Sequence, residues 1–447
     1  MRSPFMRSLA RQPIRYFSDK AKYIPEEGYY PHGFTVAGVH CGIKKDPKDL
    51  DVALLYSQSP CNAAAVFTQN KFAAAPVQVS RRALQATQGT NIYGVVTNSA
   101  CANAVTGSKG MANAQRMGQT FTKSLGIATE EGKTDQEAPV LVMSTGVIGQ
   151  QLPMDKLEKG IVQAAGQLGR SHEHWLQYAK GYMTTDTFPK LRSKPFQLPS
   201  GTEYRMAGVT KGAGMIHPNM ATLLGTIATD LDVSSSCLQA ALKYAVDRSF
   251  NAITIDGDTS TNDTIAILAN GQTNGSHGIP KVSDPASPDF IAFQNQLTAF
   301  TKDLAQLVVR DGEGATKFIT VRVQGGNNFT EAKQIATTIA TSSLVKTAIY
   351  GQDANWGRIA CAIGYTEGVQ VDTNRIRLAI LPMDQSEPLS LMSEGEPVPV
   401  DEGRASEILK MTDITIEVDL GLGDATAEVY TCDLSHDYIT INADYRS

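Results

Sequence analysis

Apolar side chains recur along this chain at two spacings, and each spacing predicts an element. In residues 287–309 ("SPDFIAFQNQLTAFTKDLAQLVV"), Phe290, Phe293, Leu297, Phe300, Leu304 and Leu307 follow at alternating steps of three and four. That is one stripe of an amphipathic helix, with Ser287 placed to cap it and Pro288 suited to its first turn. The stripe reads as core. "MDKLEKGIVQAAGQL", "SSSCLQAALKYAVDRSF" (with a serine cap) and "NFTEAKQIATTIATSSLVKTAIYG" predict further helices. Alternation, the period of a pleated strand, marks "FITVRVQGG", and "ITIEVDLGLG", "AEVYTCDL" and residues 52–68 and 92–97 also read as strands. The apolar run in "APVLVMSTGVIG" (138–149) stops at Ser144-Thr145-Gly146, as a buried strand feeding a tight turn would. Residues 190–202, polar and holding Pro195, read as a connection, and a strand is predicted from 222 to about 230. Helices and strands intermix without an internal repeat. The class is α/β or α+β with layered sheets.

Composition adds bounds. With 42% apolar and 19% charged residues over 447 positions, the chain resembles an ordinary globular enzyme of one large domain or two to three smaller ones. Its net charge of −5 gives no broad attraction to nucleic acid or to an anionic membrane surface. No apolar run approaches the roughly 20 residues that span a bilayer. The six cysteines (Cys41, Cys61, Cys101, Cys237, Cys361, Cys432) form no C-x-x-C pair, which fits free thiols in a reducing compartment and offers no zinc site.

The beginning differs from the rest. "MRSPFMRSLARQPIRYF" (1–17) carries Arg2, Arg7, Arg11 and Arg15 and no acid, the composition of a mitochondrial transit peptide. Cleavage after Phe17 is the expectation, with the mature protein in the mitochondrial matrix.

Several chemical motifs fail on spacing. "GIATEEGKT" (126–134) has five residues rather than four between Gly126 and Gly132, and two glutamates where a P-loop needs positive charge. "DGDTSTND" (256–263), read as a calcium loop, lacks glycine at the sixth position and has Ile267 at the twelfth. Asp256, Asp258 and Asp263 would be the ligands of a magnesium site; the alternative is a turn whose Asp, Thr and Asn side chains satisfy their own backbone. No metal is assigned. His217, five residues before Thr222, is in reach as a general base by sequence, though a lone loop histidine before a proline is more often structural.

"HPNMATLLGTIATD" (217–230) sets Thr222 between a Gly-, Pro- and Asn-rich stretch and an apolar strand. If the Thr222 hydroxyl attacks the Ala221 carbonyl, the backbone rearranges to an ester that water cleaves. Thr222 then becomes a new N-terminus whose α-amine, with a reference pKa of roughly 7.7–8.0, serves as base for its own hydroxyl. Gly212, Gly214 and Pro218 suit a bent backbone before the junction. The plain alternative is a threonine at the start of a strand.

"TKGAGMIHPNMATLL", "MSTGVIG", "MTTDTFPK", "SFNAITIDGDTSTND", "RDGEGATKFITV", "GQDANWGRI" and the terminal "NADYRS", in that order, resemble the ornithine acetyltransferases, the self-cleaving enzymes of arginine biosynthesis. The resemblance spans nearly the whole mature chain. One departure is "NSACANAV" (98–105), where the family pattern leads one to expect a Gly-Asn pair near Ala100-Cys101.

This resemblance implies a layered αββα fold with a second, smaller α/β domain. It implies an α chain (18–221) and a β chain (222–447) that fold together and associate as α2β2. Thr222 would take the acetyl group of N-acetylornithine, releasing ornithine, and pass it to glutamate with ping-pong kinetics. Thr145 and Gly146 match the oxyanion hole, and Thr184, Lys211, Glu313, Asn442 and Ser447 match substrate contacts. Thr185 competes with Thr184 for that role. No cofactor is implied, and the sequence holds no motif that decides whether acetyl-CoA is a second donor. The rivals are an N-terminal-nucleophile aminopeptidase or amidase, which would release free acetate, a metal-dependent phosphotransferase centred on 256–263, and a non-enzymatic binding protein with an uncut chain.

Overall fold

The computed structural model describes residues 20–128, 138–217, 223–273 and 282–443. The transit segment, the Ala221–Thr222 junction, Ser447 and most of the rejected P-loop lie outside the described residues. The strands are β1 (Phe34–Val39), β2 (Val52–Phe67), β3 (Ile92–Asn98), β4 (Leu141–Ser144), β5 (Lys190–Gln197), β6 (Glu203–Thr210) and β7 (Leu224–Thr229). There follow β8 (Thr264–Ala269), β9 (Phe318–Gly326), β10 (Arg377–Pro382), β11 (Leu389–Ser393), β12 (Glu396–Pro397), β13 (Asp413–Asp419) and β14 (Ala425–Cys432).

Strand β2 organises the larger unit because it changes partners halfway. Its first residues pair antiparallel with β1 and β3, the register slips between Tyr56 and Cys61, and Asn62–Phe67 then pair with β8. Pro60, which has no N–H to give a ladder, sits in the slip. The ribbon therefore has two leaves, β4-β3-β2 with β1 and β2-β8-β7-β6-β5.

A buried cluster joins the leaves, with Val36, Leu55 and Val95 from the first and Leu191, Val209, Leu224 and Leu268 from the second. Trp175, Tyr178 and Tyr182 of the helix His172–Tyr182 fill the same layer. On the outside, helices Gly107–Ser124 and Met154–Ala165 cover the first leaf through Phe121 and Leu157. Helices Ser235–Asp247 and Pro288–Arg310 cover the second through Leu238, Phe293 and Phe300. The order of layers is αββα, as expected.

The smaller unit is the sheet β12-β11-β10-β13-β9-β14, with helices Phe329–Thr341, Ser343–Tyr350, Trp356–Gly364 and Glu402–Lys410 packed on its core. A bridge between Ile253 and Tyr430 ties it to the larger unit.

The heptad-like stripe is buried at every position named, and Ser287 accepts a hydrogen bond from Phe290 N. Two expectations need correction. Residues 190–197 form strand β5, paired with β6 along its length and lying at the sheet's edge, where Pro195 leaves no central ladder unsatisfied. The long helix expected over 328–351 is two helices. Ser342 has ψ 110°, outside helical geometry, and its hydroxyl caps the second helix at Val345 N.

Candidate active site

Strands β3 and β4 run parallel with Asn98 opposite Ser144, and the turns that follow them are knitted together. Thr145 N donates to Asn98 O, Val147 N to Ala100 O, and Ala102 N to Val147 O. Gly146 has φ +129°, and a Cβ there would overlap the Ala100 carbonyl. Glycine is required at 146 on both grounds. Below the turn, Ser144 Oγ donates to Asn98 Oδ1 at 2.6 Å and Asn98 Nδ2 to Cys101 O at 2.9 Å. The Ala100 departure has a structural cost, since its φ is +82°, left-handed space that disfavours a Cβ.

The segment after β6 approaches from the other leaf. Lys211 N donates to Leu224 O, and Gly212, at φ +142°, donates its N–H to Asp186 Oδ1 at 2.7 Å. Gly214 is needed for space, because a Cβ there would lie 2.5 Å from Glu313 Oε2. Met215, at φ +56°, and Ile216 donate their N–H groups to the two oxygens of Asp256 at 2.6 and 2.9 Å. Burial pushes the Asp256 carboxyl up, against those N–H bonds. Asp256 thus acts as a clamp on the chain before the junction, while the bonds from Asp258 N to Asp256 Oδ1 and from Asn262 N to Ser260 Oγ, both 3.2 Å, are those of the turn reading.

A buried ion cluster lies behind these segments. The Lys190 ammonium, with no exposed side-chain surface, sits 2.6 Å from Asp186 Oδ1 and 2.6 Å from Asp311 Oδ2. Asp186 also accepts from Thr184 N at 2.9 Å, and Asp311 from Thr187 N at 2.9 Å and from Lys20 Nζ at 2.9 Å. Burial raises the Asp186 carboxyl, but Lys190, Lys211 and the Gly212 N–H outweigh it and hold the group well below the usual range. Burial lowers Lys211, with Asp186 opposing and Lys190 adding to the fall. Lys44, also pushed down by burial, donates to Leu50 O and to Met183 O, next to Thr184.

These parts meet at one cleft of about 170 Å³, lined by Thr145, Gly146, Thr184, Thr185, Lys211, Glu313 and Asn442. It is smaller than the roughly 300–1,000 Å³ of drug-sized sites, the scale of a small metabolite. Every expected site residue within the described residues is present. Both Thr184 and Thr185 reach it. Asn442, on the helix His436–Ala443, donates to Glu313 Oε2 at 2.9 Å, and Ser435 Oγ donates to Gly314 O, so the C-terminal helix docks on the "DGEG" loop. Leu223, next to Thr222, lines the cleft, while Ala221, Thr222 and Ser447 lie outside the described residues. His217 does not line it; its Nδ1 lies 3.3 Å from Thr254 Oγ1.

Asn262 does not stand out in the sequence, and Asp263 does so only as a candidate magnesium ligand, yet both are buried and both line the cleft wall. The signal available was the polar density of "DGDTSTND" directly before an apolar strand, which was weighed only for metals and turns.

Two measurements test this account. Ala100→Gly should stabilise the protein by about 0.5–1 kcal/mol, the left-handed strain less the entropy that glycine adds to the unfolded chain. A higher urea midpoint at unchanged slope would show it. Lys190→Met should cost about 3–5 kcal/mol at pH 7 by leaving Asp186 and Asp311 buried without the cation they share. Because the Asp186 pKa is depressed on folding, its contribution is present above the ordinary carboxylate value of about 3.9 and is lost as pH falls below it. Urea unfolding of the wild type should therefore show stability falling on that acid side, and less steeply in the variant.

The ArgJ family matches residues 35–447 of the chain. The "Arginine biosynthesis bifunctional protein ArgJ, mitochondrial" of Aspergillus terreus is 55% identical over 444 residues, 96% of this chain and 95% of the relative. The protein of that name from Podospora anserina is 52% identical over 470 aligned positions, 100% of this chain and 97% of the relative. The solved structure of ornithine acetyltransferase with ornithine from Mycobacterium tuberculosis aligns at TM-score 0.35 and 33% identity, covering 43% of this chain and 95% of that one.

Proposed function

The chain belongs to the ArgJ family, and from that premise we propose that its cleft performs acetyl exchange with Thr222 as the nucleophile. The protein is an ornithine acetyltransferase of arginine biosynthesis, a glutamate N-acetyltransferase. The bifunctional name of its relatives supports acetyl-CoA as a second acetyl donor, and their mitochondrial name makes it a mitochondrial enzyme.

The residue roles rest on one observation. Side chains from six separate segments (Thr145, Thr184, Lys211, Asn262, Glu313, Asn442) converge on a cleft whose wall includes Leu223, the neighbour of Thr222. In the proposed first step the neutral α-amine of Thr222 takes the hydroxyl proton and Oγ attacks the acetyl carbonyl of N-acetylornithine. The C–N bond breaks, the departing amine takes the proton, and an acetyl ester is left on Thr222. Glutamate's neutral α-amine then attacks the ester, the C–O bond breaks, and the proton returns to Thr222 Oγ. The Thr145 hydroxyl and the Gly146 N–H face the developing oxyanion, where loss of one donor typically costs ~10²–10³ in rate. Lys211 holds the α-carboxylate, Glu313 the side-chain ammonium of ornithine, and Thr184 and Asn442 complete the contacts, with Ser447 from the C-terminus. No resident cofactor or metal enters the scheme.

The nucleophile is freed by self-cleavage between Ala221 and Thr222. What supports continued association of the two products is the sheet: β7, from the second, is hydrogen-bonded to β6 of the first along Met206–Thr210. The α2β2 assembly is proposed on the family resemblance.

Intact mass under denaturing conditions should return two fragments meeting at Ala221–Thr222. Thr222→Ala should be folded, uncut and without acetyl transfer; normal cleavage of that variant would sink the scheme. Glu313→Ala should be cut normally and lose about 10²-fold or more in kcat/KM for N-acetylornithine, as expected when a charge-paired contact is removed. Unchanged kinetics would remove Glu313 from the site.

A further inference from the structure

We propose that Asn262 is a positioning residue for acyl transfer: its side-chain amide sets the spacing between the oxyanion turn and the strand that carries the nucleophile. The inference rests on the reading of Thr222, Thr145 and Gly146 above.

The need for such a residue follows from topology. The turn at Thr145–Gly146 follows β4, while Thr222 precedes β7, and the sheet order puts β3, β2 and β8 between those strands. The intervening strand β2 slips register between its two leaves, so ladder hydrogen bonds alone do not carry a fixed distance from one to the other. Asn262 closes that gap directly. It lies two residues before β8, which pairs in parallel register with β7 at Leu224–Thr264. Its Nδ2 donates to Ser144 O at 2.8 Å, one residue before Thr145, and to Ala102 O at 2.6 Å on the facing segment. Both acceptors are carbonyls, which cannot donate, so the amide nitrogen must face them. The Oδ1 accepts from Thr261 Oγ1 at 2.6 Å, which fixes the same orientation from the other side. The side chain is buried at 5% exposure, so water does not stand in for these bonds.

Asn262→Asp keeps the shape and turns an oxygen toward two carbonyl oxygens, pushing the turn away while leaving Lys211 and Glu313 in place. Acetylation of the purified, self-cleaved enzyme by N-acetylornithine, followed by rapid-quench mass spectrometry, reads the step directly. The expected result is an acylation rate about 10²-fold below wild type with half-saturating N-acetylornithine changed by less than about threefold, the signature of lost transition-state stabilisation. A folded, cut variant that acylates within about threefold of wild type overturns the inference, as does a loss that lies wholly in half-saturation. If Asn262→Asp is obtained unfolded or uncut, Thr261→Val takes its place. It removes only the hydroxyl that orients the amide, with an expected rate loss of about five- to tenfold, and a wild-type rate would overturn the proposal. The wild-type control separates the two levels. Acetyl found on a residue other than Thr222 would overturn the underlying mechanism, whereas acetyl on Thr222 with an unaffected variant would overturn the role of Asn262 alone.

Discussion

The Lys190 ammonium between the carboxylates of Asp186 and Asp311 is the interaction on which the rest of the site depends. An ion pair without water contact is tolerable only when every oxygen is engaged, and here the partners of those oxygens are the pieces of the cleft. Asp186 receives the N–H groups of Thr184 and Gly212, so one carboxylate fixes both the threonine loop and the chain leading toward the junction. Asp311 receives Thr187 and Lys20, and stands two residues before Glu313. The cluster therefore converts charge balance into geometry. It also leaves the Lys211 ammonium in a field of buried groups of both signs, where its charge is pushed toward the neutral form by burial and held by Asp186.

Around that centre the fold solves a placement problem. An acyl-transfer site needs a nucleophile and an oxyanion donor within about 3 Å of one reacting atom, yet the proposed oxyanion donors follow β4 of one leaf while the proposed nucleophile precedes, in sequence, β7 of the other. The leaves are joined by β2, whose register slip lets the ribbon fold over a shared core of Trp175, Tyr178 and Tyr182. At the ends of the strands Asn98 and Asp256 each hold backbone within one leaf, and Asn262 reaches from the second leaf to Ser144 and Ala102 of the first. Such polar clamps suit a site that must stay dry and rigid, because each buried amide or carboxylate has only one arrangement that satisfies it.

Much of this could be read along the chain. The stripe from Phe290 to Leu307, the alternation of 318–326 and the strand-to-turn break at Ser144 each depend on local periodicity, which burial on one face writes directly into sequence. The edge strand β5 was missed because its polar exposed positions and Pro195 are what an edge permits, and those look like a connection. The break at Ser342 was missed because both helices share one apolar period across a serine whose capping role appears only when the chain bends there. Ala100 stands out in sequence as a departure, but its left-handed φ accompanies the neighbouring Gly146 turn, some forty-six residues nearer the C-terminus.

The sequence by itself determined the family, the order of the segments proposed to carry the chemistry and the residue types within them, because the nucleophile, oxyanion donor and charged contacts of the proposed reaction each demand particular functional groups. Tertiary structure alone decided that those segments meet. It assigned Asp256 to holding the backbone of Met215 and Ile216, and showed Asn262 as the link between Ser144 and Ala102. The reason is physical. A side chain's type limits which hydrogen bonds it can make, but which partners it finds across a hundred residues is settled only when burial removes water as the alternative.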